Sequence, residues 1–212
     1  AADFNGTETI TYTVQDADGG TDATGSLVVT VTAVNDDPVA VADTETITED
    51  AAATAITVTS NDTDVETASG SLVVTSATTS GTGTVSVTGT DGNVTYTPAA
   101  DFNGTETITY TVQDADGGAD ATGTLVVTVT TVNDNPTAVS DTASVAEDAT
   151  ATAILVSAND TDTETATGSL VVTAATTSGT GTVSVTGTDG NVTYTPAADF
   201  NGTETITYTV QD

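Results

Sequence analysis

The chain of 212 residues contains no lysine, arginine or histidine, and no cysteine, methionine or tryptophan. Each absence removes a class of chemistry. Without Cys or His there is no thiolate or imidazole nucleophile, no disulfide, and no zinc site built on sulfur and nitrogen. Without Lys there is no Schiff base and no lysine-based isopeptide cross-link. Three Phe and five Tyr are the only aromatics, too few for the ring-lined clefts in which paired carboxylates cleave glycosides. The chain reads as non-enzymatic. No apolar run approaches the roughly 20 residues that span a bilayer, and no signal peptide is visible.

What is present is acid. Asp and Glu number 31 against no cationic side chain, for a formal net charge of −31. Repulsion on this scale opposes compaction, and salt screens it only beyond about 8 Å at physiological ionic strength. An elongated shape dilutes the repulsion, and bound metal cations neutralise it. Nucleic acid and anionic membrane surfaces are poor partners for such a chain on the same ground.

The order of the residues carries more. AADFNGTETITYTVQDADGG occupies residues 1–20 and again 99–118, and its first sixteen residues return at 197–212. The period of 98 residues is that of a whole domain, since solenoid units run about 20–50 residues. Residues 77–114 and 175–212 are identical at all 38 positions. The expected organisation is 1–35 as the closing strands of a first repeat, 36–133 as a complete repeat, and 134–212 as a second repeat lacking its last strand. On this reading the chain is a slice of a longer tandem array. The alternative is a protomer whose N-terminal strands complete the last domain of the next copy, a head-to-tail filament joined by donor strands.

Within the complete repeat, apolar residues alternate with Thr or Ser, the pattern of half-buried strands. Seven strands are predicted at about 39–47, 52–58, 71–76, 82–88, 92–97, 104–112 and 122–132. Ile108, Tyr110 and Val112 share one face of the sixth strand; Leu125, Val127 and Val129 share one face of the seventh. Turn signals GTG, TDGN, FNG and DADGG separate the strands. The fold class is all-β: tandem seven-stranded immunoglobulin- or cadherin-like sandwiches, end to end.

In such a sandwich alternate loops lie at opposite ends, so the acids can be placed. Glu49 and Asp50 follow the first strand and Asp101 follows the fifth, at the end where the linker Asn133, Asp134, Asn135 departs. The next repeat faces that linker with Asp160 and Asp162, and Glu164 as a further candidate, from its second loop and Asp212 from its sixth. The preceding linker repeats the set with Asp3, Asn35, Asp36 and Asp37, facing Asp62, Asp64 and Asp114. Calcium takes six to eight oxygen ligands from carboxylates, amides and main-chain carbonyls, and both junctions offer them. Glu45 and Glu106, on strands, read as solvated positions. Seven Asn-x-Thr sequons, at Asn5, Asn61, Asn93, Asn103, Asn159, Asn191 and Asn201, are expected by chance in so Thr-rich a chain.

With ANDTDTET at 158–165, GNVTYTPAADFNGTETITYTVQD at 92–114 and VNDNP at 132–136, the chain resembles the bacterial cadherin-like, immunoglobulin-like repeats of giant RTX-type surface adhesins. The resemblance implies an extracellular, cell-surface extender module that stiffens when calcium fills its interdomain sites. It assigns ligand roles to Glu49, Asp101, the linker Asn133–Asn135, and Asp160 with Asp162. Two departures stand out: Thr131 and Ala33 occupy the place of the linker's leading Asp, and Pro136 follows one residue early.

Overall fold

Strands form where apolar residues alternate with threonine and end where glycine or aspartate turns the chain. The computed structural model describes residues 2–212 and divides into two units, one running to Thr131 and one covering Val132–Asp212.

The first unit opens with a hairpin of β1 (Gly6–Val14) and β2 (Ala23–Val31). Seven further strands follow: β3 (Asp43–Thr48), β4 (Thr54–Thr57), β5 (Val73–Thr79), β6 (Thr84–Ser86), β7 (Asn93–Thr97), β8 (Gly104–Gln113) and β9 (Ala121–Thr130). They form a four-stranded sheet in the order β3-β9-β8-β5 and a three-stranded sheet in the order β4-β7-β6. All the pairs are antiparallel except β3 with β9. The first predicted strand begins later than expected. Val39 makes an isolated bridge to Thr63, and regular pairing starts only at Asp43.

Between the sheets lies the core: Ile56, Val58, Leu72, Val74, Val94, Tyr96, Ile108, Tyr110, Val112, Leu125, Val127 and Val129. Burying a side chain of this size stabilises by about 1.5–3 kcal/mol, so a dozen medium-sized residues carry the domain. Tyr110 is the polar pin of that core. Its hydroxyl donates to Asp43 Oδ2 at 2.7 Å and lies 3.2 and 3.3 Å from the carbonyl oxygens of Val41 and Val58. Burial first, then Asp43 and the charge of Asp62, push its pKa well above the usual range for tyrosine. Gly123 faces the ring, and a Cβ there would sit 2.2 Å from Tyr110 Cζ.

β1 and β2 repeat the sequence of β8 and β9, with Ser26 in place of Thr124, and their register: Gly6 opposes Val31 as Gly104 opposes Val129. Near-identical local sequence gives the same ladder. What differs is cover. Ile10, Tyr12 and Leu27 are 49%, 49% and 51% exposed, whereas Ile108, Tyr110 and Leu125 are fully buried.

The second unit contains β10 (Thr152–Leu155), β11 (Val171–Thr177), β12 (Thr182–Ser184), β13 (Asn191–Thr195) and β14 (Ile206–Gln211). Their sheets run β10-β13-β12 and β11-β14, around a smaller core of Val156, Val172 and Val192. The bulge that shifts β5 against β8 at Val74/Ser76 recurs between β11 and β14 at Val172/Ala174.

Glu106 corrects the sequence reading. It is 2% exposed, not solvated. Its position is in phase with Ile108, Tyr110 and Val112, so it points inward. Its carboxylate accepts the Thr79 hydroxyl at 2.9 Å and the N–H groups of Thr82 and Gly83 at 2.7 and 3.0 Å. Burial alone would raise its pKa. The donors from Gly83, Thr79, Tyr96 and Thr82 outweigh that, and the net shift is downward. Gly81 is glycine for the same reason, because a Cβ there would lie 2.1 Å from Glu106 Oε1. Glu204 repeats the clamp on Thr177, Thr180 and Gly181. Glu45 is exposed, as expected.

Candidate metal centre

Three chain segments of the first unit meet around the linker at residues 35–37. The Asn35 side chain donates to Asp114 Oδ2 at 2.9 Å and to the carbonyl of Asp36 at 3.0 Å. The Asp36 N–H donates to Glu66 Oε2 at 3.0 Å, and Asp37 Oδ1 accepts Ala119 N–H at 2.8 Å. Linker, β4–β5 loop and β8–β9 loop are thereby tied together.

The β4–β5 loop holds its own acids rigidly. Asp62 is 2% exposed, and its Oδ1 accepts the Val41 N–H at 2.7 Å. Asp64 Oδ1 accepts the N–H groups of Glu66 and Thr67 at 3.0 and 2.6 Å, an Asx turn that fixes the carboxylate. In each pair one oxygen is used and the other is left over. Asn35 Oδ1, Asp62 Oδ2 and Asp64 Oδ2 are all buried and accept no hydrogen bond. A buried carboxylate oxygen without a donor is costly, and this chain has no Lys, Arg or His to supply one. Burial pushes the Asp62 pKa up, the Val41 N–H works against that, and nearby Asp43 adds to it. Asp114 moves the other way: the Asn35 side chain and the amides of the 116–118 turn outweigh burial and lower its pKa.

Gly118 completes the wall. A Cβ at that position would lie 2.6 Å from both Asn35 Nδ2 and Asp37 Oδ1 and 3.7 Å from Asp114 Oδ2. The three side chains therefore line one small space, open only because residue 118 has no side chain.

The second unit repeats the linker and loop part of the arrangement. Asn133 donates to the Asp134 carbonyl at 2.9 Å, and Asp134 N–H to Glu164 Oε2 at 3.1 Å. Asp160, fully buried, accepts Val139 N–H at 2.7 Å, and Asp162 accepts the N–H groups of Glu164 and Thr165. Asp160 Oδ2 and Asp162 Oδ2 are again buried without a donor. Asn135 and Asp212 are exposed.

At the far pole of the first unit, Glu49 is 2% exposed and its N–H bonds the carbonyl of Thr130 at 2.8 Å. Asp50 and Asp101 are joined by Asp101 N–H to Asp50 Oδ1 at 3.2 Å. Both adopt left-handed backbone, with φ of 55°, as do Asp3, Asp148 and Asp199 at 58–59°. Aspartate is one of the few residues that tolerates this region. Asp199 N–H repeats the bond to Asp148 Oδ1 at 3.0 Å. Asp3 lies exposed beside the β1–β2 hairpin.

Sequence reasoning offered Glu164 but not its counterpart Glu66, and both reach the linker backbone. The recurrence of NDTD-x-ET at 61–67 and 159–165 was the available signal. The donor set consists of oxygen alone, with several carboxylates per cage, two of them holding an unused buried oxygen. That fits a hard cation of the calcium kind and excludes sites that need sulfur or imidazole.

Comparison with known proteins agrees with this architecture. A family model described as bacterial cadherin-like domain matches residues 35–131, and one described as bacterial Ig domain matches residues 133–212. No curated protein is significantly similar in sequence. Among solved structures, mouse protocadherin-24 EC1-3 superposes with a TM-score of 0.58 at 17% identity, over 91% of this chain and 67% of that one. This likeness establishes the fold. The human desmocollin-1 ectodomain gives 0.45 at 12% identity over 92% of this chain, which spans 40% of the ectodomain's length. An endo-fucoidan hydrolase of glycoside hydrolase family 107 gives 0.34 at 16% identity, over 98% of this chain and 34% of the enzyme. Neither of the last two scores carries an argument.

Proposed function

We propose that the chain, which matches a bacterial cadherin-like domain model at residues 35–131 and a bacterial Ig domain model at residues 133–212, is a calcium-stiffened spacer of an extracellular surface adhesin. Domains of this kind are typically structural and non-enzymatic, and they usually occur in extracellular surface proteins. No helix among the described residues is long and apolar enough to cross a membrane.

One observation carries the reading. Asp62 and Asp64, and again Asp160 and Asp162, each hold a buried carboxylate oxygen with no donor, in a chain without a single cationic side chain. Calcium is the partner that such oxygens fit. Binding that occurs only in the folded state stabilises by mass action, and fixing the linker against two loops stiffens the passage from one repeat to the next. Near-identity between repeats suits a spacer, in which length and stiffness matter more than a unique surface.

The test is to compare the chain in millimolar calcium and in chelator. The melting temperature rises with calcium, and the maximum dimension from small-angle scattering increases. Unchanged melting and unchanged dimensions would sink the proposal. Strand exchange between copies is the second reading, supported by the exposed apolar face of the β1–β2 hairpin. Assemblies that lengthen with protein concentration would favour it over the spacer.

A further inference from the structure

In their linker and β4–β5 loop segments the two cages differ at a single acidic position. Asn35, Asp36, Asp62, Asp64, Glu66 and Asp114 recur as Asn133, Asp134, Asp160, Asp162, Glu164 and Asp212, but Asp37 recurs as Asn135. The hydrogen bonds that fix the β4–β5 loop acids recur with them, whereas the bonds from Asn35 to Asp114 and from Ala119 to Asp37 are found in the first cage. Val41 to Asp62 and Val139 to Asp160 are both 2.7 Å, and Thr67 to Asp64 and Thr165 to Asp162 are both 2.6 Å. Each cage also has a buried carboxylate oxygen without a donor, on Asp62 and Asp160, which are 2% and 0% exposed.

We propose that residue 37/135 grades the cages, the Asp37 carboxylate giving its cage the tighter hold on calcium. This rests on the calcium reading above and concerns how that site is tuned. Asp37 is placed for the role. Its Oδ1 and Asn35 Nδ2 both approach the space beside Gly118, with Asp114 Oδ2 across it. It also keeps its hydrogen bond to Ala119 N–H, which an amide oxygen would accept equally well. The exchange of Asp for Asn therefore changes charge and little else. A dication and a carboxylate about 6–7 Å apart in water-like dielectric attract by enough to shift binding about tenfold. Charge count is likewise what tunes calcium sites in general. The effect acts through space, so it shrinks with added salt. An array mixing Asp and Asn at this position has joints that stiffen at different calcium concentrations.

Two isosteric variants test the inference in opposite directions, each within one cage. The amide N–H groups of Thr67 and Thr165 report on the cages separately, and their NMR shifts are followed through a calcium titration of the full chain. Asp37→Asn is expected to raise the calcium midpoint at Thr67 about tenfold and leave Thr165 unchanged. Asn135→Asp is expected to lower the midpoint at Thr165 about tenfold and leave Thr67 unchanged. Midpoints that move by less than twofold in both variants overturn the grading while the calcium reading stands. No calcium-dependent shift at either amide, in wild type or variants, overturns the calcium reading itself.

Discussion

Replacing Glu106 by Gln should destabilise the first unit selectively, by about 1–3 kcal/mol. The magnitude follows from what the carboxylate holds. It accepts two backbone N–H groups and one hydroxyl, while being 2% exposed. Hydrogen bonds to a charged acceptor contribute about 1.5–3 kcal/mol each, against about 0.5–1.5 for neutral ones, so neutralising the acceptor weakens three at once. Relief from burying a charge offsets part of this. Glutamine keeps one oxygen for Thr82 and Gly83 and turns an amide toward Thr79, so the turn still closes. Alanine leaves both N–H groups buried without an acceptor and costs more. The assay is hydrogen exchange resolved by peptide, because the second unit keeps its own clamp at Glu204 and serves as an internal control. Protection should fall in β5, β6 and β8 and stay constant in β11–β14. The pH dependence gives a second check. The folded pKa of Glu106 is lowered, so its stabilisation is complete above the ordinary Glu value of about 4.3 and is lost as pH falls through the folded value. The gap between wild type and Glu106→Gln is therefore constant from pH 7 to about pH 5 and closes below that. A gap under about 0.5 kcal/mol at pH 7, or one that does not close in acid, would refute the reasoning.

Other consequences are as direct. Tyr110→Phe leaves Asp43 Oδ2 without its 2.7 Å donor and should cost about 1–3 kcal/mol by urea unfolding. Gly123→Ala sets a methyl 2.2 Å from the Tyr110 ring; the shift this forces should cost about 1–3 kcal/mol, read as a lower melting temperature. Asp62→Asn removes a buried charge whose Oδ2 has no donor, so the variant should melt above wild type in chelator yet gain nothing from calcium at its own cage. If it melts below wild type in chelator, the account of that oxygen as an unmet cation ligand is wrong.

Much of this was readable from the sequence, because strand alternation is a local property. β8 shows it most plainly: Thr107 and Thr109 face out while Ile108, Tyr110 and Val112 are fully buried. The acids of the loops were legible too, since Asp62, Asp64 and Asp114 all lie where strand order places them. Two things were not. Glu106 was misread because residue type was allowed to override phase: an acid in register with Ile108 points inward whatever its charge. The clue was in the turn, where Gly81 leaves room for it and the Gly83 N–H donates to it. The start of β3 was misjudged because Val39 and Val41 carry the alternation but bond to the β4–β5 loop, through Thr63 and Asp62. A loop contact of that kind leaves no periodic trace. Residues 141–146 make the complementary point. They have a strand's alternation but form none, for in the first unit the corresponding β3 exists by pairing with β9.

The account turns on whether the donorless oxygens of the two cages are cation ligands. Anomalous diffraction from crystals grown in calcium, and from the same crystals after chelation, answers this directly. The prediction is a calcium peak about 2.3–2.6 Å from Asp62 Oδ2, Asp64 Oδ2 and Asn35 Oδ1, with a counterpart at Asp160 and Asp162, both lost on chelation. Ordered water at those oxygens in saturating calcium, with no anomalous peak, would contradict it.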